Sequence, residues 1–188
     1  MKLSILSSAA AIALSATCLS ASAANDGTIR FEGELLAQTC QIEGQDAGQD
    51  SVDKLVQMGK VPVGAVTSTD PAAAGKYFDI KVGGAGDTNC ANGLKALVRF
   101  DPASPAIDNT TGYLNIDTGA ANQATNVQVR IFNQGEATPL HLLRDKTRPV
   151  EIANNEATLP FVAQYYSANG DATAGVANTR VGFQVVYE

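Results

Sequence analysis

The chain has 188 residues, with 13 Lys and Arg against 19 Asp and Glu for a formal net charge of −6, and 45% of it is apolar. That length fits one domain with a good core and leaves no room for a second of similar size. The acidic balance, with no basic cluster able to track a phosphate backbone, excludes nucleic acid as a partner.

Residues 1–23 read as a secretory signal. Lys2 supplies the positive start, 3–19 an Ala-rich apolar stretch, and Ala21, Ser22 and Ala23 the small residues before a cut at Ala24. The apolar stretch is short and rich in Ser and Ala, which favours cleavage over an anchor, so no stable membrane insertion is expected. Cys18 invites a lipid-modified reading, but Thr17 beside the thiol fits such a site poorly. Cutting the first 23 of 188 residues leaves 165, and the loss of Lys2 leaves 12 basic against 19 acidic residues, net −7. Of the three cysteines only Cys40 and Cys90 then remain. An even pair in an oxidising compartment reads as one disulfide. With His141 they are too few and too scattered for a metal site, and none is expected.

Strand-like segments follow in quick succession, separated by Gly, Asn, Asp and Pro. Residues 28–37 alternate, with Ile29, Phe31, Gly33, Leu35 and Ala37 on one face. After a polar, Gly-rich loop at 43–53, alternation resumes over 55–61 and ends at Pro62. Residues 76–82 form a clear strand in which Tyr77 or Phe78 starts the face continued by Ile80 and Val82. Further strands are expected at 94–100, stopped by Asp101 and Pro102, at 113–116, and at 125–132 with Val127, Val129 and Ile131 on one face. Short segments at 140–143 and 150–152 precede a long strand at 157–166, whose Pro160 requires an edge or a bulge. The last, 181–187, places Val181, Phe183, Val185 and Tyr187 at alternate positions. Seven to nine strands with no sustained helical period indicate an all-β sandwich of the immunoglobulin-like kind. The terminal strand is followed only by Glu188, so one of its neighbours is expected from another chain, and the alternating segment at 28–37 is a spare strand of the right kind.

Catalytic chemistry finds no support. His141 has no Ser or Cys nucleophile to pair with, since both mature cysteines are needed for the bridge. Asp145 and Glu151 are ordinary loop carboxylates in an acidic chain. The sequon at Asn109 has no role in a bacterial-type secretory context. There is no phosphate-cradling Gly motif and no Trp to stack on a sugar. No enzyme activity and no cofactor are expected.

Several of these features occur together in one known family. The chain resembles chaperone-usher pilus subunits, and most closely a type 1 fimbrial major subunit, over essentially its whole mature length. The shared features are an alternating N-terminal extension with a central glycine (Phe31, Gly33, Leu35), then Cys40, and a second cysteine, Cys90, after the next long strand. They continue with Thr125, Asn126 and Val127 at a strand start, and Pro160, Phe161, Ala163 and Tyr165 in an aromatic strand. A penultimate Tyr187 and a glycine fourteenth from the end, Gly175, complete the set. The resemblance implies an incomplete immunoglobulin-like sandwich that lacks its final strand. It divides the chain into a signal peptide at 1–23, a donor-strand extension at 24–38 and a pilin domain at 39–188.

On the same resemblance, Gly175, Val181, Phe183, Val185 and Tyr187 belong to an acceptor groove and C-terminal motif. A periplasmic chaperone fills this groove first. At an outer-membrane usher it is displaced by Ile29, Phe31, Gly33, Leu35 and Ala37 of the next subunit, giving a homopolymeric fimbria on the cell surface. A tip adhesin needs an extra lectin domain that this length excludes, and a terminator would lack a usable donor segment. A minor adaptor subunit of the same kind of fimbria is the alternative to a shaft subunit.

Overall fold

Alternating apolar and polar residues can bury one face only by forming strands that stack into two layers, and this chain does so. A computed structural model describes residues 30, 40–46, 52–67 and 74–188. By its internal contacts the chain divides into Met1–Leu35 and Leu36–Glu188, and the strands among the described residues lie in the second unit. In chain order they are β1 (Gly75–Gly83), β2 (Lys95–Phe100), β3 (Leu114–Asn115), β4 (Gln128–Asn133), β5 (Val150–Glu151), β6 (Glu156–Tyr166) and β7 (Phe183–Tyr187). A single 3-10 turn at Val63–Ala65 is the one helical element among the described residues.

The strands form two antiparallel sheets, ordered β1-β6-β4-β3 and β5-β2-β7. In an immunoglobulin-like sandwich the second, fifth and fourth strands are neighbours in one sheet, and the third, sixth and seventh in the other. The run β1-β6-β4 reproduces the first set, and β2-β7 reproduces the first two members of the second. The seventh strand's place, beside β7, is taken by nothing among the described residues. The fold is therefore an incomplete immunoglobulin-like sandwich. A remnant of a first strand survives at the free edge of β1, where Ile42 bridges Val82, Glu43 N–H donates to Lys81 O at 2.9 Å, and Gly83 N–H donates to Gln41 O at 2.7 Å.

The core lies between the layers. Phe161 of β6 is 1% exposed, and its ring meets Phe78 of β1 at 5.4 Å and Phe100 of β2 at 6.5 Å, so one side chain couples the two sheets. Ile80, Val82, Val98, Ile131 and Leu159 close around it. Where β5 stops pairing after Ala96 and Val150, a side chain replaces the ladder. Thr147 Oγ1 accepts from Val98 N–H at 2.7 Å and donates to Val98 O at 3.1 Å.

Several expectations needed correction. Residues 55–61 carry no ladder, and Gly59 within them has a φ of 71°, which an extended strand does not hold. Residues 140–143 are a turn tied to β4 through Leu140 N–H donating to Ile131 O at 2.7 Å, not a strand. The strand expected from 125 starts at Gln128, because Asn126 has a φ of 56°, a left-handed conformation that no ladder accommodates. Pro160 sits inside the central strand β6, with no bulge. Its carbonyl accepts from Gln134 N–H at 3.1 Å, so its nitrogen faces the β4 side, where pairing has already ended at Asn133 and Phe161. The missing donor is therefore missed by nothing.

Cys40 and Cys90 are bridged, with Cα atoms 4.4 Å apart at a sequence separation of 50. The bridge packs against Gly83, whose φ is 71° and where a Cβ would lie 2.7 Å from Cys90 Sγ and collide with the Asn155 carbonyl oxygen. Asn155 in turn donates through Nδ2 to Cys90 O at 2.6 Å and accepts at its own carbonyl from Gly84 N–H at 3.0 Å. Replacing both cysteines with alanine should lower stability by about 4 kcal/mol on loop-closure grounds, read as a reduced urea midpoint with a somewhat steeper slope, because the unbridged unfolded chain is less compact. An unchanged midpoint would show that the loop is already constrained without the bridge.

Candidate functional site

Among the described residues, β7 is paired on one side only. Against β2 the partners are Tyr187 with Ala96, Val185 with Val98 and Phe183 with Phe100. The ladder continues at both ends, where Lys95 and Glu188 exchange two hydrogen bonds at 2.9 and 3.0 Å and Asp101 N–H donates to Gly182 O at 2.9 Å. Backbone groups of successive strand residues point to opposite sides. Gly182, Gln184, Val186 and Glu188 therefore face β2, and the N–H and C=O of Phe183, Val185 and Tyr187 face the other way, with no partner among the described residues.

The side chains of the same three residues point inward. Their partners Ala96, Val98 and Phe100 are all buried core, and residues directly opposite share a face. Yet Phe183, Val185 and Tyr187, with Val181 before them, are only partly buried, although each packs against the core. An inward apolar row left half covered, on a strand whose outer backbone groups have no partner among the described residues, is an apolar slot with a hydrogen-bonding lip. Sequence reasoning picked out these four residues together, and the structure brings them together. Gly175 lies elsewhere, where a Cβ would collide with the backbone of 122–124; there Val176 N–H donates to Asn122 O at 2.6 Å and Ala124 N–H to Val176 O at 2.9 Å. Its role is a close crossing of two backbones on the approach to β7.

Residues 52–58, which overlap the segment expected as a strand at 55–61, alternate in burial without pairing in a ladder. Val52, Lys54, Val56 and Met58 are partly buried while Asp53, Leu55 and Gln57 are exposed, Leu55 at 73%. Met58 packs against the core, and Lys54 Nζ donates to Glu43 Oε2 at 2.9 Å and Asp79 Oδ1 at 3.5 Å, which pins the segment beside the free edge of β1. It has the period of a strand without the partner of one. The alternate positions Val52, Lys54, Val56 and Met58 were the available signal for its inward face. The candidate donor residues Ile29, Phe31, Gly33, Leu35 and Ala37, and the signal segment 1–23, lie outside the described residues.

Tyr187 ends the slot beside the disulfide. Its hydroxyl is sealed from solvent and closes no well-formed hydrogen bond among the described groups, although the Cys40 backbone N–H is aimed at it. Burial raises its pKa above the ordinary 10.0, the Cys40 N–H opposes that, and the Asp87 carboxylate adds to it. Tyr165 is also raised by burial, but its hydroxyl donates to Ala177 O at 2.6 Å. Among the described residues no cluster of His, Cys, Asp or Glu could hold a metal ion, and no helix is long and apolar enough to cross a membrane.

The sequence profile of the fimbrial protein family matches residues 29–188. The chain belongs to the fimbrial protein family. It is 33% identical over 185 residues to the type-1 fimbrial protein A chain of Escherichia coli strain K12, covering 98% of this chain and 96% of that one. It is 34% identical over 184 residues to a type 1 fimbrial subunit of Klebsiella pneumoniae, covering 97% and 92%. Among solved structures, the P pilus rod subunit aligns with 80% of this chain and 99% of its own, at 15% identity and a TM-score of 0.47. Fimbrial proteins are structural pilus subunits exported by the chaperone-usher route to the cell surface, and the role of this chain is structural in the same sense.

The two tyrosines give a test of the slot's local chemistry. Both have raised pKa values, so both favour the fold below about pH 10, and their contribution is lost as pH rises through the raised values. Tyr187→Phe should reduce the alkaline loss of stability. At neutral pH it should change stability by less than about 0.5 kcal/mol, because no well-formed hydrogen bond is lost, whereas Tyr165→Phe should cost about 1 kcal/mol. Urea unfolding at neutral and alkaline pH checks both. A large neutral-pH cost for Tyr187→Phe would mean that the hydroxyl is bonded after all.

Proposed function

We propose that this fimbrial protein is a shaft subunit that polymerises by donor-strand exchange. The slot along β7 is the acceptor, and residues 24–38, released when 1–23 is removed, are the donor. One observation carries the reading: Phe183, Val185 and Tyr187 present, at the same place, half-covered inward side chains and backbone hydrogen-bonding groups with no partner among the described residues. An added strand satisfies both at once, its main chain closing the lip and its alternate side chains filling the slot. Ile29, Phe31, Leu35 and Ala37 supply that alternation, and burying Phe31 and Leu35 contributes roughly 1.5 to 3 kcal/mol each. Gly33, with no side chain, lets the donor backbone lie close to the slot floor and fixes the register. Before assembly, a strand from a periplasmic chaperone occupies the slot, and exchange takes place at an outer-membrane usher.

Donor and acceptor are separate parts of the chain, so they can be broken separately. Deleting 24–37 should leave a subunit that binds chaperone but does not enter another subunit's slot. Gly33→Leu should give normal chaperone complexes with few or unstable fibres, since a larger residue there brings an overpacking cost of typically 1 to 3 kcal/mol at the subunit contact. Glu32→Ala, on the opposite face, should polymerise nearly normally. Fibre yield by electron microscopy and chaperone co-purification are the measurements. Long fibres from the deletion, or equal yields from the two point variants, would refute the donor assignment.

A further inference from the structure

The chain contains two Asn-Gly pairs, Asn92-Gly93 and Asn169-Gly170, and the fold treats them in opposite ways. All four residues are exposed, and both glycines have positive φ, 87° at Gly93 and 72° at Gly170. The chemistry open to such a pair is attack by the glycine's backbone nitrogen on the asparagine side-chain carbon. A C–N bond forms, the side-chain amide leaves as ammonia with the backbone N–H proton, and a five-membered imide results. Water then opens the ring to aspartate or isoaspartate, so the net change is Asn and water to a carboxylate and ammonia. Glycine is the most permissive follower because it places no Cβ in the path of ring closure.

At Asn92 both reacting groups are tied up. The side-chain oxygen accepts from Asn155 N–H at 2.7 Å, and Gly93 N–H donates to Ile152 O at 3.0 Å. Attack there must wait for local opening of a stretch that leads directly into β2. At Asn169 neither group is held: the Asn169 side chain and Gly170 N–H make no hydrogen bond with any described residue, and the pair lies in the loop between β6 and β7. The loop is nevertheless anchored on either side. Ser167 N–H donates to Val66 O at 2.8 Å, and Asn126 Nδ2 donates to Asp171 Oδ2 at 3.1 Å.

We propose that Asn169 is a self-modification site at which the folded subunit converts to an aspartate or isoaspartate form, while Asn92 is protected by the fold. Each conversion makes the subunit more acidic by one charge and places a second carboxylate two residues from Asp171, in a chain already at −6. The surface of the subunit therefore changes with age in solution, without any enzyme.

The test incubates the folded, oxidised protein in mildly alkaline buffer and follows both asparagines by peptide mass spectrometry, with an unstructured peptide spanning 166–173 to set the time window. Asn169 should convert about tenfold or more faster than Asn92, since two hydrogen bonds must open before Asn92 can react. In the reduced protein unfolded by urea the two rates should converge. Asn169→Gln should abolish the acidic species seen on isoelectric focusing. Conversion of Asn92 as fast as Asn169 in the folded state, or no conversion of Asn169 while the reference peptide reacts, would overturn the proposal.

Discussion

Every N–H and C=O in a strand must end in a hydrogen bond or in water, and every inward apolar side chain needs a layer to cover it. Along β7 of this fimbrial protein, these two demands fall on the same three residues. Gln184 and Val186 use their backbone groups on β2, and Phe183, Val185 and Tyr187 are left with theirs pointing away from it. Water can satisfy the backbone groups but cannot cover the side chains. A further strand does both, and on the donor-strand reading this makes the gap in the sandwich a site.

The neighbouring architecture keeps the gap open. A long exposed edge ordinarily invites uncontrolled pairing, and the other edges of this sandwich are blunted by side chains or short segments. On β2, Thr147 occupies the backbone of Val98 where β5 ends. On β1, the Glu43 carboxylate accepts from Lys81 N–H at 2.9 Å while 41–43 pair beside it. The disulfide fixes that first-strand remnant to the loop after β1, and the close packing of Gly83, Cys90 and Asn155 makes the corner rigid. β7 carries no such device on its outer side among the described residues. Tyr187 has its hydroxyl against the corner, so the end of the slot and the bridge form one packed unit.

What the sequence revealed follows from where alternation is strong. β1, β2, β6 and β7 were placed within a residue or two because period-two patterning and bounding Gly or Pro agree. For β1, packing settled the phase that pattern left open, with Phe78 inside and Tyr77 60% exposed. The failures have physical causes. Pattern cannot see the left-handed Asn126 that delays β4, nor the direction in which the Pro160 nitrogen points. The alternation near 55–61 was real, but a pattern reports which face is apolar and not whether a partner strand is present. Gly175 was grouped with the slot through family likeness, whereas local packing gives it a separate duty at the crossing with 122–124. The four inward residues of the slot were legible because they are core residues first. Their half-covered state, on which the proposed site rests, needed the topology.

On the donor-strand reading, the two halves of each contact are different surfaces of one chain. Such a contact is heterologous, and a heterologous contact that does not close into a ring propagates as a fibre. Strength then comes from the same source as fold stability. Each junction would complete a β-sandwich, with backbone pairing at Phe183, Val185 and Tyr187 and donor side chains packed in the core, and separating two subunits would mean unfolding part of that core. A dissociation barrier of that kind resembles an unfolding barrier more than the release of a surface contact, which explains how a polymer could persist outside the cell without a covalent bond between its subunits.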